Sequence, residues 1–260
     1  MSLLELKNLS VSLRNNENKI ILNNISFSLE EGESLSIIGE SGSGKTTIAR
    51  SILKLVDKNL LFKSGCILFN GKDILSLTES QMTKIRGDSI CFLPQESLNC
   101  LNPLIKCGDQ ISEVLIIKKK KNKIEAYDEV IFFLSLCGFD NPEEIYNKYP
   151  FELSGGNRQK VLFAISNIIK PRLLIADEPT SSLDLVSEKE ILNLLIKFKS
   201  EYKQSLIFIT HNILIAKRIS QKVVILKNGI IEEYGLTSEV FENPKSEYTK
   251  ELIKNASYQI

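Results

Sequence analysis

The sequence has few of the residues that build disulfide frameworks or zinc sites. It contains no tryptophan and a single histidine. Five cysteines occur, none in a CxxC pair and one necessarily left over: Cys66, Cys91, Cys100, Cys107 and Cys137. We therefore predict neither disulfides nor zinc, and a reducing, cytosolic compartment.

An excess of charge and long apolar runs are also missing. The 33 Lys+Arg and 32 Asp+Glu residues leave a net charge of +1, which gives no electrostatic reason to expect a nucleic-acid partner. No stretch approaches the ~18 to 20 apolar residues of a membrane span. The opening MSLLELKNLSVSL lacks the apolar core of a signal peptide, because Glu5 and Lys7 interrupt it. We expect no nucleic-acid binding, and the chain itself is not expected to be a channel.

What is present is the pattern of an α/β protein. The 260 residues are 43% hydrophobic and 25% charged, and strand-like and helix-like segments alternate. The predicted strands are 3–9, 20–29, 35–38, 173–176 and 206–209, with a hairpin of 223–226 and 230–232 around Asn228-Gly229. The predicted helices are 108–120, 124–137, 156–169 and 185–202, with short helices in 237–260 broken at Pro244. We predict one domain over 1–260, with a helical subdomain at about 96–170 and a C-terminal tail at about 237–260.

Two local patterns refine this outline. Ile25, Phe27 and Leu29 fall on one face of their strand at period two. The charge run Lys118–Lys121 is interpreted as a solvated loop tip between two helices, with a patch that contacts phosphate or membrane as the alternative.

A phosphate-binding loop follows the buried strand 35–38. The motif GxxxxGK[ST] is matched by Gly39-Glu40-Ser41-Gly42-Ser43-Gly44-Lys45-Thr46. A helix is predicted to begin at Gly44, so backbone N–H groups and the helix N-terminus converge on phosphate oxygens. Lys45 would neutralise the β- and γ-phosphates, the Thr46 hydroxyl would bind Mg²⁺, and Thr47 could contact the α-phosphate. The alternative is a Gly/Ser-rich turn without a ligand.

Two further strand ends carry polar groups. The apolar strand 173–176 ends in Asp177 and Glu178, at the edge where an α/β sheet binds its ligand. Asp177 would hold Mg²⁺ through water, and Glu178 could act as general base or orient the attacking water. Alone, such a pair is often a solvated loop. His211, the only histidine, follows the strand 206–209; a lone histidine is more often structural, but this position favours a contact with the γ-phosphate or the attacking water.

Together these motifs resemble the ATP-binding cassette (ABC) ATPases, the motor subunits of transporters. Leu153-Ser154-Gly155-Gly156-Asn157-Arg158-Gln159 resembles the signature loop of that family, Ser182-Leu183-Asp184 its D-loop, Gln95 its Q-loop glutamine and His211 its switch histidine. The resemblance covers about residues 3–235. It implies an α/β fold: a P-loop NTPase (RecA-like) core with an antiparallel β subdomain and a helical insertion subdomain. It also implies hydrolysis of ATP to ADP and phosphate with Mg²⁺.

The resemblance assigns a role to each of these residues. Ser154, Gly155, Gly156 and Asp184 would contact ATP at the interface of two head-to-tail cassettes. Gln95 would touch Mg²⁺ and report the nucleotide state to the membrane domain. Lys45, Gln95, Glu178 and His211 would be the catalytic set.

Three positions depart from the family pattern. Residues 10–24 hold no aromatic side chain to stack on adenine. The base must therefore stack on an aliphatic side chain or on Arg14. Ser182 replaces the usual alanine, and Asn157 an often-seen Gln or Met. We expect the last two changes to leave activity intact.

A finer resemblance is to the oligopeptide, dipeptide and nickel importer subgroup. It rests on Gln95–Pro103, on Tyr149-Pro150-Phe151-Glu152 and on Pro244–Thr249. The absence of a cysteine-rich C-terminal extension favours the short nickel- or metallophore-type members. Residues 83–90 and 158–161 look like the first ATPase of a pair.

This resemblance implies a set of partners and a location. The partners are a paralogous ATPase in a heterodimer, two integral membrane permease subunits and an extracytoplasmic substrate-binding protein. The chain would act at the cytoplasmic face of the cell membrane. The alternatives are a soluble ABC ATPase of DNA repair or translation, and an importer of another ABC subgroup.

Overall fold

The structure is a computed structural model that describes residues 2–95 and 100–257. The strands are β1 (Ser2–Leu13), β2 (Asn16–Glu30), β3 (Ser34–Ile38), β4 (Leu60–Phe69), β5 (Lys72–Asp73), β6 (Ile90–Leu93), β7 (Leu173–Asp177), β8 (Ser205–Thr210), β9 (Lys222–Lys227) and β10 (Ile230–Leu236). The α-helices are α1 (Lys45–Ile52), α2 (Glu79–Ile85), α3 (Cys107–Lys119), α4 (Lys123–Leu136), α5 (Pro142–Asn147), α6 (Gly155–Asn167), α7 (Leu185–Tyr202), α8 (Ile213–Ile219), α9 (Thr237–Glu242) and α10 (Glu247–Ser257). The chain divides into two compact units, one of Met1–Lys84 with Ser205–Ile260 and one of Ile85–Gln204.

The first unit contains an antiparallel sheet in the order β2-β1-β4-β5. Ile25, Phe27 and Leu29 lie buried on one face of β2, as the period-two pattern predicts. Strand β4 is not predicted from the sequence, because its alternation is broken at a β-bulge. There Gly65 adopts φ +87° opposite Asn8 at φ +50°, and a Cβ on Gly65 would lie 2.5 Å from the Asn8 carbonyl.

The same unit contains the strands that carry the phosphate loop. Strand β3 lies between β8 and β9 and is parallel to both, and β10 closes the edge antiparallel to β9. All five residues of β3 (SLSII) and all six of β8 (SLIFIT) are buried, which explains why both strands are mainly apolar and carry only small polar residues. The turn after β9 has Asn228 at φ +48° and Gly229 at φ +74°, the type I′ geometry that the Asn-Gly pair predicts.

The C-terminal tail is fixed to this unit by a buried carboxylate. Glu233 on β10 accepts hydrogen bonds from the backbone N–H groups of Lys245 (3.0 Å) and Ser246 (3.2 Å), just before α10 begins. Burial alone would raise the pKa of Glu233, but these donors outweigh burial and hold the pKa below its ordinary value of 4.5. The negative charge also favours the N-terminus of α10.

The second unit pairs β6 and β7 in parallel and also contains the helices α3 to α7. Helices α3, α4, α6 and α7 match the predicted helices to within two residues, whereas α5 is not predicted. Helix α4 begins at a capping box: the Asn122 side chain accepts from the N–H groups of Ile124 and Glu125, and Glu125 accepts from the Asn122 N–H.

The lysine run makes specific contacts within the second unit. Lys118 donates to the carbonyl of Arg86 (2.7 Å), Lys119 pairs with Asp88 (3.2 Å) and Lys121 pairs with Glu129. Lys119 and Lys120 are exposed, and Lys120 and Lys121 lie between two helices, as the interpretation of a solvated loop tip has it. Lys118 differs, since it is half-buried and bonded to the backbone. Lys118 lies in the last turn of α3, where its amine group reaches a backbone oxygen nearby.

Across the described residues, none of the helices is long and apolar enough to cross a bilayer.

Candidate nucleotide site

The phosphate loop leaves the buried strand β3 at Gly39. A Cβ on Gly39 would lie 2.2 Å from the Leu226 carbonyl oxygen and 2.7 Å from Ser43 Oγ, so no other residue fits there without movement. Gly42 and Gly44 adopt φ +81° and +106°, a region that side-chain-bearing residues avoid. The glycines of the motif thus allow the loop to turn tightly against β9.

Lys45 holds the loop closed around its own ammonium group. Its Nζ donates to the carbonyl oxygens of Gly39 (2.8 Å) and Glu40 (2.9 Å), and the residue is only 6% exposed. Few lysines are this buried unless a partner compensates the charge. The loop therefore places a fixed positive charge at its centre, where phosphate oxygens would be neutralised.

Ser43 and the start of α1 offer further groups to a ligand. The Ser43 hydroxyl is buried and has no hydrogen-bond partner among the described residues, which is costly unless a ligand satisfies it. Helix α1 begins after Gly44, which provides no side-chain cap, so its first N–H groups can meet an anion. Thr46 and Thr47 lie half-buried in the first turn. These donors fit the phosphate groups of a nucleotide.

His211 lies at the same sheet edge as this loop. Strands β3 and β8 run parallel with Ile38 opposite Thr210, so Gly39 and His211 leave the sheet side by side. Asn212 caps α8 by accepting from the N–H groups of Leu214 (2.9 Å) and Ile215. This cap fixes the backbone on the C-terminal side of His211, whose side chain is exposed.

In the second unit, the ends of β6 and β7 bring Gln95 to Glu178. The two strands are parallel with Leu93 opposite Ala176, and Asp177 at the end of β7 is 5% exposed. Gln95 Nε2 donates to Glu178 Oε2 (3.3 Å) and to Ser181 Oγ (3.1 Å).

The backbone of Glu178 is in an unusual conformation. Its φ is +44°, which is unfavourable for a residue with a side chain. The Ser181 hydroxyl donates to the Glu178 carbonyl (3.2 Å) and helps to hold this turn. Strained positions of this kind cluster at functional sites because the strain aims a side chain.

The signature loop caps a helix. Ser154 Oγ accepts from the Asn157 N–H (3.3 Å) at the start of α6, and Arg158 donates to the Leu153 carbonyl (2.8 Å). The buried side chain of Gln159 reaches the Pro94 carbonyl (3.4 Å). This bond ties the signature helix to the segment that carries Gln95.

Asp184 is the N-cap of α7. Its carboxylate accepts from the N–H groups of Val186 and Ser187 (both 3.0 Å) and from the Ser187 hydroxyl (2.7 Å). These bonds, led by that of the Ser187 N–H, hold the pKa of Asp184 below its ordinary value. A contact of Asp184 with nucleotide remains a prediction. An aspartate immediately before a predicted helix is a typical N-cap residue, but this cap was not predicted from the sequence.

Three further points concern residues that the sequence analysis named or left out. Arg14, one candidate for stacking on adenine, donates from Nε to the Lys58 carbonyl (3.1 Å). The segment 96–99 of the Q-loop resemblance lies outside the described residues. The contacts of Ser181, Ser187 and Gln159 were not anticipated, because each depends on a partner brought close only by folding.

Comparison with known proteins identifies the family. The family model described as "ABC transporter" matches residues 22–181. The oligopeptide transport ATP-binding protein OppD of Bacillus subtilis is 38% identical over 96% of this chain and 71% of its own length. The dipeptide transport ATP-binding protein DppD of Lactococcus lactis is 35% identical over 96% of this chain and 72% of its own length.

A solved structure agrees with this result. The dimeric post-hydrolysis state of the ATP-binding cassette MJ0796, bound to ADP and Pi, superposes with a TM-score of 0.79 and 29% identity over 90% of this chain and 98% of that one. The predicted fold, a P-loop NTPase core with an antiparallel β subdomain and a helical subdomain, is confirmed. The chain belongs to the ABC transporter family. It is an ATPase of that family.

The signature glycines allow a matched test of local packing. A Cβ on Gly156 would lie 2.3 Å from Ser187 Oγ and 2.7 Å from Ser187 Cβ, whereas a Cβ on Gly155 would meet only Leu183, at 3.9 Å. We expect Gly156→Ala to lower the free energy of unfolding by about 1–3 kcal/mol. Gly155→Ala should leave it unchanged or slightly higher, since alanine favours a helix. Urea unfolding of the two variants measures the difference, and equal stability would contradict the packing described.

Proposed function

We propose that this chain is the ATP-hydrolysing motor subunit of an ABC importer. The observation that carries the proposal is the phosphate loop, which combines the buried Lys45 ammonium, a Ser43 hydroxyl without a hydrogen-bond partner among the described residues, and a start of α1 without a side-chain cap. The names of the similar proteins, which are peptide transport ATP-binding proteins, support the importer role.

The loop binds the phosphates of ATP through its backbone. Positioning and charge neutralisation dominate phosphoryl transfer, so little covalent chemistry is required of the protein. Residues 39–47 surround the phosphates, and Lys45 neutralises the β- and γ-phosphates. Thr46, Asp177 and Gln95 would hold Mg²⁺, which would supply charge neutralisation to the phosphate oxygens. Their hydroxyl, carboxylate and amide oxygens match the preference of that ion.

Glu178 is the proposed general base. Its carboxylate already accepts a hydrogen bond from Gln95, and its unusual backbone conformation fixes the direction of the side chain. A change in the position of Gln95 would therefore alter the orientation of Glu178 directly. His211 contacts the γ-phosphate or the attacking water from the end of β8. Ser154, Gly155, Gly156 and Asp184 contact the ATP of an opposing cassette.

Exposed apolar side chains support docking to other subunits. In the second unit, Leu104 is 84% and Phe151 68% exposed, close in sequence to the Q-loop and the signature loop. We assign these two side chains to contacts with the two integral permease subunits, on the ground of their exposure and of their places in the sequence. Leu185 and Val186, 83% and 70% exposed beside Asp184, are assigned to the paralogous ATPase.

The cargo is a peptide or a nickel or other metal chelate. The peptide assignment follows the names of the similar proteins, and the nickel assignment follows the resemblance of residues 95–103 to the oligopeptide, dipeptide and nickel importer subgroup. An extracytoplasmic binding protein would deliver the cargo, and this chain would act at the cytoplasmic face of the membrane.

Hydrolysis is tested by Glu178→Gln. We expect Mg-ATP binding to persist and turnover to fall by about 10²- to 10⁴-fold, the usual contribution of a general base. With its paralogous ATPase present, the variant should accumulate as an ATP-bound dimer in size-exclusion chromatography. Glu201→Gln, on an exposed position of α7, is the matched control and should turn over normally. Normal turnover by Glu178→Gln, or full turnover by the chain without a second ATPase, would contradict the corresponding role.

The cargo is tested by uptake in cells with and without this chain. We expect loss of uptake of a radiolabelled tripeptide if peptides are carried, and loss of ⁶³Ni uptake if nickel is carried. Reintroducing the wild-type chain should restore uptake, and the Glu178→Gln variant should not. Unchanged uptake of both would contradict the importer subgroup.

A further inference from the structure

The C-terminal helix α10 reaches the phosphate loop through Tyr248. This side chain is 7% exposed and packs in a cluster with Ile38, Ile225 and Ala216. Ile38 is the last residue of β3 and directly precedes Gly39, so Tyr248 packs against the strand end from which the phosphate loop departs.

Two further contacts fix the position of the ring. The Lys227 ammonium lies 4.3 Å from the centroid of the Tyr248 ring, a cation–π contact. The adjacent residue, Leu226, supplies the carbonyl that would lie 2.2 Å from a Cβ on Gly39. The end of β9 therefore lies against the phosphate loop and supports Tyr248.

The Tyr248 hydroxyl faces Glu40, the second residue of the phosphate loop. The backbone N–H of Glu40 favours the ionised form of this hydroxyl, and the carboxylate of Glu40 favours its protonated form. The hydroxyl is shielded from solvent and has no hydrogen bond of full geometry among the described residues. A buried hydroxyl without a hydrogen bond is energetically unfavourable, and a small movement of Glu40 would complete a hydrogen bond to it. Burial, the larger cause, and the charge of Glu40 raise the pKa of Tyr248 above its ordinary value of 10. The phenol therefore keeps its proton.

Glu40 in turn is connected to the phosphate-binding lysine. Its carbonyl oxygen accepts from Lys45 Nζ at 2.9 Å. A hydrogen bond from Tyr248 to Glu40 would therefore fix one of the two carbonyl groups that hold the Lys45 ammonium. No described residue of the catalytic set lies on α10, so the tail would act only through the loop.

We propose that Tyr248 is a positioning residue of the phosphate loop, and that docking of the C-terminal helix and binding of nucleotide stabilise each other through Glu40. The proposal rests on the proposed binding of ATP at residues 39–47. Linkage requires the effect to be reciprocal: a docked tail tightens nucleotide binding, and bound nucleotide protects the tail.

The first test compares Tyr248→Phe with the wild-type chain by isothermal titration calorimetry with Mg-ATP. Phenylalanine keeps the ring and its packing and removes only the hydroxyl. We expect the Kd to rise about fivefold, the equivalent of one ordinary hydrogen bond, with an unchanged unfolding midpoint. Tyr234→Phe is the matched control, because its hydroxyl donates to the Ser28 carbonyl on β2 (3.0 Å), and its Kd should change by less than about twofold. An unchanged Kd for Tyr248→Phe would overturn the proposal.

The second test measures hydrogen exchange of 247–257 with and without Mg-ATP. We expect nucleotide to slow exchange in the wild-type chain and to slow it less in Tyr248→Phe. Glu233→Gln weakens the anchor of the same helix and should also raise the Kd for Mg-ATP. This variant tests the coupling if Tyr248→Phe does not fold. Exchange that is insensitive to nucleotide in the wild-type chain would overturn the coupling. Failure of the wild-type chain to bind Mg-ATP would instead overturn the proposed function, and this inference with it.

Discussion

A phosphate-binding loop must keep its donors without internal partners and yet remain rigid. In this chain the conflict is resolved by Lys45, whose buried ammonium is held by two carbonyl oxygens of the loop itself. A buried charge is stable only when its hydrogen bonds are satisfied, so the loop must wrap around it. The Ser43 hydroxyl and the first N–H groups of α1 can then stay available for a ligand. The adjacent elements of the first unit maintain this arrangement: the end of β9 supports Gly39, and the Gly229 N–H donates to the Ser43 carbonyl at 2.9 Å.

In the second unit, the proposed catalytic residues and the signature helix are joined by direct contacts. The side chain of Gln95 contacts both Glu178 and Ser181, and Ser181 supports the Glu178 turn. The signature helix is joined to the Gln95 segment by Gln159 and to the start of α7 by the close fit of Gly156 and Ser187. A displacement at any one of these positions would be passed to the others by direct contact. That property suits the role proposed for Glu178, in which the carboxylate responds to events at the proposed partner subunits.

Sequence reasoning was right about positions that have a local cause: the Asn-Gly turn, and the placement of residues 39–46 and 177–178 at the ends of buried strands. The roles of these residues toward nucleotide stay predictions. Sequence reasoning failed where the cause lies elsewhere in the chain. The bulge at Gly65 depends on Asn8, 57 positions earlier, and the lysine run finds its partners at Arg86 and Asp88. The anchor of the C-terminal helix depends on Glu233, which in the sequence is one of two adjacent glutamates and gives no sign of which is buried.

The central claim is that the loop at 39–47 binds nucleotide phosphate through Lys45. Titration of Mg-ATP into the Lys45→Ala variant tests it most directly, with Lys58→Ala, an exposed lysine of the same unit, as the control. The account predicts that Lys45→Ala loses measurable binding while Lys58→Ala binds as the wild-type chain does. Retained affinity in Lys45→Ala, with the variant folded, would contradict it.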